Sequence, residues 1–455
     1  MSPNLSILRI DARKNDYRES LNLLRKKLSP DGDVVSEKGK QLTERVFGEL
    51  LSPQQVVERI CSDVRKHGDS ALLRYSQALD GVTLRADQLR VPLAMLEEAH
   101  RNATPDYLAA IRKIRKNITA FQRAILHTDI IHRPVAGIEL MQRYLPLRRI
   151  GICVPGGAAA YPSTVLMTVV PAQAAGVDEI AVVAPPTALG AYNPDVLAVC
   201  YELGVREVYA MGGAQAVAAM AYGTESVPGV DKIVGPGNLF VALAKKWVFG
   251  HVDIDSIAGP SEVIVVADAS TDPRFAAMDM LAQAEHSPGS SVLITWDEGW
   301  IETTFQALDG FIAELSRGDL AKASLEAFGA VIVVSDADQA CEIINELAPE
   351  HLHLACENPR SMLPKIRNSG ATFVGAFSPV ALGDYAAGPS HVLPTSGTAR
   401  WASGLSSNDF LRAGSVIEYS RDALADIAPE IAMIANKEGL TAHRESVEIR
   451  VQDRP

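Results

Sequence analysis

The chain has no apolar run long enough to span a bilayer; its most apolar stretch, Val165 to Val177, is interrupted by Pro171 and Gln173. Its N-terminus lacks the charged segment and apolar stretch of a signal peptide. The five cysteines (Cys61, Cys153, Cys200, Cys341 and Cys356) are odd in number and never spaced Cys-x-x-Cys. That argues against a disulfide framework or a zinc finger and for reduced thiols. Positive charge is also short. A formal net charge of -12 argues against a polyphosphate partner, because nucleic-acid binding rests on cationic neutralisation. The basic runs Arg25-Lys26-Lys27 and Arg112 to Lys116 read as solvated helix faces. There is no His-Glu-x-x-His, no Gly-x-Ser-x-Gly and no Gly-x-x-x-x-Gly-Lys-Ser/Thr. A cytoplasmic enzyme without membrane or nucleic-acid partners is the expectation.

At 455 residues the chain exceeds what one core usually supports, so two or more compact units are expected. Up to about residue 130 it reads as a helical arm. Ser52-Pro53 opens one apolar stripe (Val56, Val57, Ile60, Val64), and Thr104-Pro105 opens another (Leu108, Ile111, Ile114, Ile118, Phe121). From Arg149 short β-rich runs alternate with Ala-rich helical segments, as in βαβ units on a parallel sheet. The alternation restarts near Glu262. The spans are therefore a helical arm (1–130), a first α/β domain (131–255), a second (256–400) and a C-terminal tail (401–455). The tail is read as a helix from about Asp422 followed by a short extended segment. Three glycine turns follow strands of the first unit: Val154-Pro-Gly-Gly157, Gly212-Gly-Ala-Gln215 and Gly235-Pro-Gly-Asn238. Glycine there lets backbone approach a phosphate, and the helix N-terminus beyond favours negative charge. None is Gly-x-Gly-x-x-Gly, and each alone could be a tight turn.

Four polar clusters lie in the second half: Gln283-Ala-Glu-His286, Pro349-Glu-His-Leu-His353, Gly383-Asp-Tyr385 and Glu438-Gly-Leu-Thr-Ala-His443. Gln283 and His286, three apart at a helix end, share a face and suit a mixed N/O shell around zinc. Glu350 and His351 could work on one ligand if the chain turns there, with His351 as proton shuttle. Asp384, in a glycine-rich loop, fits a metal ligand or an ordinary Asx turn. His443 alone would read as surface, and His353 and His391 read as structural. Taken together the clusters describe one site that binds a metal and transfers protons.

With Val-Pro-Gly-Gly, Pro-Ser-Thr-Val-Leu-Met, Gly-Gly-Ala-Gln-Ala, Gly-Pro-Gly-Asn, Ala-Gly-Pro-Ser-Glu, Gln-Ala-Glu-His, Pro-Glu-His-Leu, Gly-Asp-Tyr-Ala, His-Val-Leu-Pro-Thr and Glu-Gly-Leu-Thr-Ala-His in that order, the chain resembles the histidinol dehydrogenase family over essentially its whole length. The resemblance implies an α/β fold of two incomplete Rossmann-like parallel-sheet domains, with the helical arm and a small helical tail. It implies one zinc per subunit, held by Gln283, His286, Asp384 and His443. Substrate contacts would come from those four and from Ser261, Glu350, His351 and Glu438, with Glu350 and His351 catalytic. NAD contacts would come from Gln215, Asn238 and position 153. Members often carry Tyr at that position where this chain has Cys153, which weakens the cofactor contact there. Homodimers with exchanged segments would bring Glu438 and His443 in from the neighbour. The implied reaction is oxidation of L-histidinol to L-histidine through the aldehyde, with two NAD reduced. A related zinc- and NAD-dependent dehydrogenase of another polar alcohol, such as a sulfonated diol, would keep the same metal set. A zinc hydrolase with Glu350 as base is a more distant alternative.

Overall fold

The structure is a computed structural model that describes residues 5–14, 16–28, 37–157, 159–257, 259–286 and 289–452. Among these the strands run, in chain order, β1 (Leu8–Asp11), β2 (Ile130–His132), β3 (Ile138–Pro146), β4 (Arg149–Cys153), β5 (Glu179–Ala184), β6 (Glu207–Ala210), β7 (Lys232–Val234), β8 (Asp253–Ile254), β9 (Ser261–Val266), β10 (Gly289–Thr295), β11 (Ala330–Val333), β12 (His351–Leu354), β13 (Ala371–Val374) and β14 (Leu411–Tyr419). The first parallel sheet has the order β6-β5-β4-β7-β8. The second repeats it as β11-β10-β9-β12-β13, with β1 added outside β11. Each is a 3-2-1-4-5 doubly wound sheet lacking its sixth strand. Every residue of β4 and of β10 is buried. Parallel strands covered on both faces read as unbroken apolar runs, which is why the sequence located them.

Helices Pro162–Ala175 and Pro194–Glu202 cover one face of the first sheet through Val165, Val169 and Val196. Helices Gly213–Tyr222 and Leu239–Val248 cover the other through Val217 and Val241. The N-terminal segment departs from a purely helical arm in two ways. β1 joins the edge of the second sheet, pairing Ile10 with Ile332; four residues are too few to show a strand period in sequence. Helices Pro53–Tyr75 and Pro105–Ala124 do not project. Ile60 and Leu72 pack into one layer of the first sheet and Ile111 and Ile118 into the other. Ser52 and Thr104 cap them as expected, accepting from the Gln55 and Tyr107 N–H groups.

The tail also differs. β14 pairs antiparallel with β3 from Leu411–Pro146 to Tyr419–Ile138, and β2 lies on the far side of β3. Two helices follow, Arg421–Glu438 and Thr441–Val451. The second replaces the expected extended end, because Gly439 turns the chain with a left-handed φ of 71° and the backbone resumes a helix at Thr441. Helices Glu298–Glu314 and Gly318–Phe328 in the second domain were not anticipated. Among the described residues no helix is long and apolar enough to cross a membrane. All five cysteines are buried and free.

Candidate active site

The site is built at the amino edge of the second sheet, between β9 and β12. Ser261 opens β9, and its register partner Gly289 opens β10. Ala348, with φ 51°, turns the chain ahead of Pro349, so Glu350 and His351 both reach the start of β9. The Ser261 hydroxyl donates to Glu350 Oε2 (2.6 Å), and the Glu262 N–H donates to the same oxygen (2.9 Å). His351 Nδ1 lies 3.2 Å from the Glu262 carbonyl oxygen and 3.4 Å from Glu350 Oε2. A carbonyl only accepts, so Nδ1 carries a hydrogen. That leaves Nε2, 3.7 Å from Asp384 Oδ1, as the working nitrogen. Burial opposes charge on both members of the pair, but their attraction wins. His351 is pushed up to about 9 by the Glu350 carboxylate, with Asp384 adding to it. Glu350 is held below the usual carboxylate range by His351, the Ser261 hydroxyl and the Glu262 N–H.

Asp384 sits in a short helix, Val380–Tyr385, and not in the glycine-rich loop expected from sequence. Gly383 explains the difference, since any Cβ there would strike the Phe373 ring on β13. The close approach lets the helix seat against the strand and brings Asp384 beside His351. His391, read from sequence as structural, belongs to this site. Its Nδ1 donates to the Asp384 carbonyl oxygen (3.1 Å), and burial lowers its pKa, so the ring is neutral. The signal was there in Gly383 to His391, where one short segment carries both residues. His351, Phe373, Leu382, His391, Phe121 and Leu405 line a cleft of about 580 Å³.

Gln283 ends the helix Pro273–Ala284 at the same sheet edge; a Cβ on Gly289 would collide with the Gln283 carbonyl. The residue is only 3% exposed, and the amide nitrogen has no partner. An orphaned buried polar atom costs about 1–3 kcal/mol, and a ligand on this amide would relieve it. Rotated by half a turn, the amide offers its oxygen. His286 follows the helix end, exposed. Glu438 and His443 lie elsewhere, in a groove of about 400 Å³ between the two C-terminal helices, lined also by Ile427, Ile431, Ile434 and Leu440. Among the described residues no three His, Cys, Asp or Glu side chains of the one chain converge closely enough to hold a metal. The donor types suit zinc, but one subunit does not gather them.

The glycine turns after β4 and β7 lie at the first sheet's switch point, where these two strands are adjacent and their successors run to opposite sides, while Gly212-Gly-Ala-Gln215 follows the edge strand β6. Gly235 has φ +102°, and a Cβ there would collide with the Cys153 carbonyl. The Gly235 N–H donates to Asp255 Oδ2 (2.7 Å), and Lys245 Nζ donates to the Gly235 carbonyl (3.0 Å) while pairing with Asp255. Asn238 is exposed and caps the next helix, accepting from the Val241 N–H (3.1 Å). The Cys153 side chain packs into the core, where burial pushes its thiol up to about 12, and it presents no polar edge outward. Gln215 is buried too. Its Nε2 donates to Asp80 Oδ2 (3.1 Å), its Oε1 has no partner, and burial pushes Asp80 up to about 6.

A family model described as histidinol dehydrogenase matches residues 48–451. A histidinol dehydrogenase of Rhodopirellula baltica is 60% identical over 453 residues, covering 99% of this chain and 98% of that protein. A "Histidinol dehydrogenase 2" of Nostoc is 43% identical over 427 residues, covering 93% of this chain and 98% of that protein. The crystal structure of histidinol dehydrogenase from Elizabethkingia anophelis superposes with a TM-score of 0.88 at 31% identity, over 99% of both chains.

Proposed function

The chain belongs to the histidinol dehydrogenase family, oxidoreductases of the last two steps of histidine biosynthesis, and on that premise we propose how its site works. The substrate is L-histidinol, oxidised through the aldehyde to L-histidine with two NAD reduced. The reading is carried by the chain of contacts from Ser261 through Glu350 to His351, whose Nε2 lies 3.7 Å from Asp384 Oδ1.

His351 is the proton acceptor for the substrate hydroxyl. With its pKa raised to about 9 the resting ring carries a proton, so it acts as base only once that proton is released. The Glu350 carboxylate then makes the neutral ring a stronger base, and the Glu262 carbonyl fixes which nitrogen acts. Glu350 receives Ser261, Glu262 and His351 on one oxygen; its Oε1 carries none of these bonds and is assigned the water that hydrates the aldehyde. Gln283, His286, Asp384 and the partner subunit's His443 would hold zinc, which when bound would supply a template that orients the substrate. Asn238, Gln215 and the backbone at Cys153 would line the site of NAD, which when bound accepts the hydride. Ser261 and the partner subunit's Glu438 complete the substrate contacts. The active species is then a homodimer in the cytoplasm. The spans 1–130, 131–255, 256–400 and 401–455 serve as arm, cofactor domain, catalytic domain and exchanged tail.

Glu438 suits a cationic or hydrogen-bonding group, which favours the amino alcohol over a sulfonated diol. Counting NADH released per histidinol, with and without chelator, tests the reading. Two per substrate, lost on chelation, is the expected result. One per substrate, or turnover indifferent to chelator, would overturn it.

A further inference from the structure

A second buried histidine pair lies beneath the site. His353 Nδ1 is 2.6 Å from Asp279 Oδ2, and its Nε2 is 3.0 Å from the Gly375 carbonyl oxygen. The Gly375 carbonyl only accepts, so Nε2 carries a hydrogen, and the hydrogen bonds to Asp279 and Gly375 raise the pKa of the ring against its burial. The His353 side chain is 1% exposed and that of Asp279 9%. Burying a carboxyl–imidazole pair is seldom the cheapest way to stabilise a core, and apolar side chains of that size would often do as well. What the pair supplies is geometry. It ties together the helix Pro273–Ala284, the strand β12 and the end of β13, and each leads to a residue of the proposed site.

The spacings match. His351 lies two residues before His353 on the same face of β12, about 6.6 Å along the strand. Gln283 lies one turn after Asp279 on the same helix face, about 6 Å along the axis. The helix joins two parallel strands, β9 and β10, and so runs back toward their amino ends. Anchoring Asp279 on His353 therefore brings Gln283 level with His351. The contact of the Gln283 carbonyl with Gly289, register partner of Ser261, agrees with this. Gly375, with φ +86°, begins the turn into the Asp384 helix, and its carbonyl also receives the Ser378 N–H.

We propose that Asp279 and His353 are positioning residues: their bridge to Gly375 sets the distances among Gln283, His351 and Asp384 on which metal retention and proton transfer depend. Neither touches substrate. The inference rests on the zinc reading above, so the experiment carries a control for it.

Asp279→Asn and His353→Leu are compared with wild type by thermal melting, by zinc affinity in chelator competition and by steady-state kinetics. The bridge predicts a melting point within a few degrees of wild type. It also predicts zinc affinity weaker by about 10–100-fold, the range for residues that orient metal ligands, a kcat at least about tenfold lower and an unchanged KM for NAD. A lower melting point with wild-type zinc affinity and kcat in the folded enzyme would make the pair merely structural and overturn the proposal. His286→Ala is the control. If it loses zinc while both bridge variants keep it, the bridge alone falls. If it keeps zinc, the metal reading falls and takes the bridge with it.

Discussion

Glu262 and Glu350 are buried neighbours held in opposite protonation states. Glu350 has a histidine to answer its charge and stays ionised. Glu262 is pushed up to about 8 by burial and then by the Glu350 charge, against the pull of backbone N–H groups such as that of Ser396 (3.0 Å). That bond holds a turn in which Ser396 has φ 57°, uncommon for a residue with a side chain. The sign of the pH effect follows. Between about pH 4.5 and 8 the folded protein keeps a proton on Glu262 that the unfolded chain has lost. Stability therefore falls as pH rises through that window and levels off above it. Glu262→Gln copies the protonated acid and has no proton to lose. Calorimetry at pH 5, 7 and 9 should show the variant level with wild type at pH 5 and melting several degrees higher at pH 9. Parallel melting curves for the two proteins would mean that Glu262 titrates as an ordinary carboxyl.

Secondary elements were legible wherever burial on both faces left an apolar signature. β5, β7 and the helices Leu239–Val248 and Ala337–Leu347 fall where the periodicity placed them. Short edge pieces such as β1, and the antiparallel β14 with its partly exposed residues, carry no such signature. The candidate site residues stand out in sequence as clusters, but their contacts do not. Nothing in Pro349-Glu350-His351 reveals that Ala348 adopts a left-handed turn, and nothing near Gln215 points to Asp80. The glycine turns fall between these cases, visible in sequence and explained only by packing. At Gly235 a side chain would be strained by the positive φ and would also strike the Cys153 carbonyl, while Asp255 and Lys245 prevent the loop from moving aside. Gly235→Ala should therefore distort the proposed cofactor loop. The KM for NAD should rise about tenfold or more while zinc content is unchanged, the strain alone being worth about 1–2 kcal/mol. Initial rates across an NAD series, with metal analysis on the same samples, check this. An unchanged KM would move the dinucleotide away from the switch point.

The whole molecule leaves its C-terminal arm incompletely covered. Ile417, Met433, Ile434 and Ile449 are each more than half exposed on β14 and the two helices after it, and Glu438 and His443 face the groove between those helices, away from the cleft. Apolar surface of this kind marks an interaction face. In the proposed homodimer a second copy of the chain would cover it and would bring Glu438 and His443 to the cleft. Complementation distinguishes exchange from a site completed within one subunit. His351→Asn and His443→Ala should each be inactive alone. In a mixed dimer with exchange, the cleft of the His443→Ala subunit has an intact His351 and receives an intact His443 from its partner, so one of the two sites is whole. Random pairing makes about half of all dimers mixed, so coexpression should restore about a quarter of wild-type activity. Without exchange every cleft in the mixture keeps one defect, and activity stays at the level of the single variants. Sedimentation of the same samples adds a second check, because a monomer that turns over histidinol at the wild-type rate would exclude any role for the neighbour's tail.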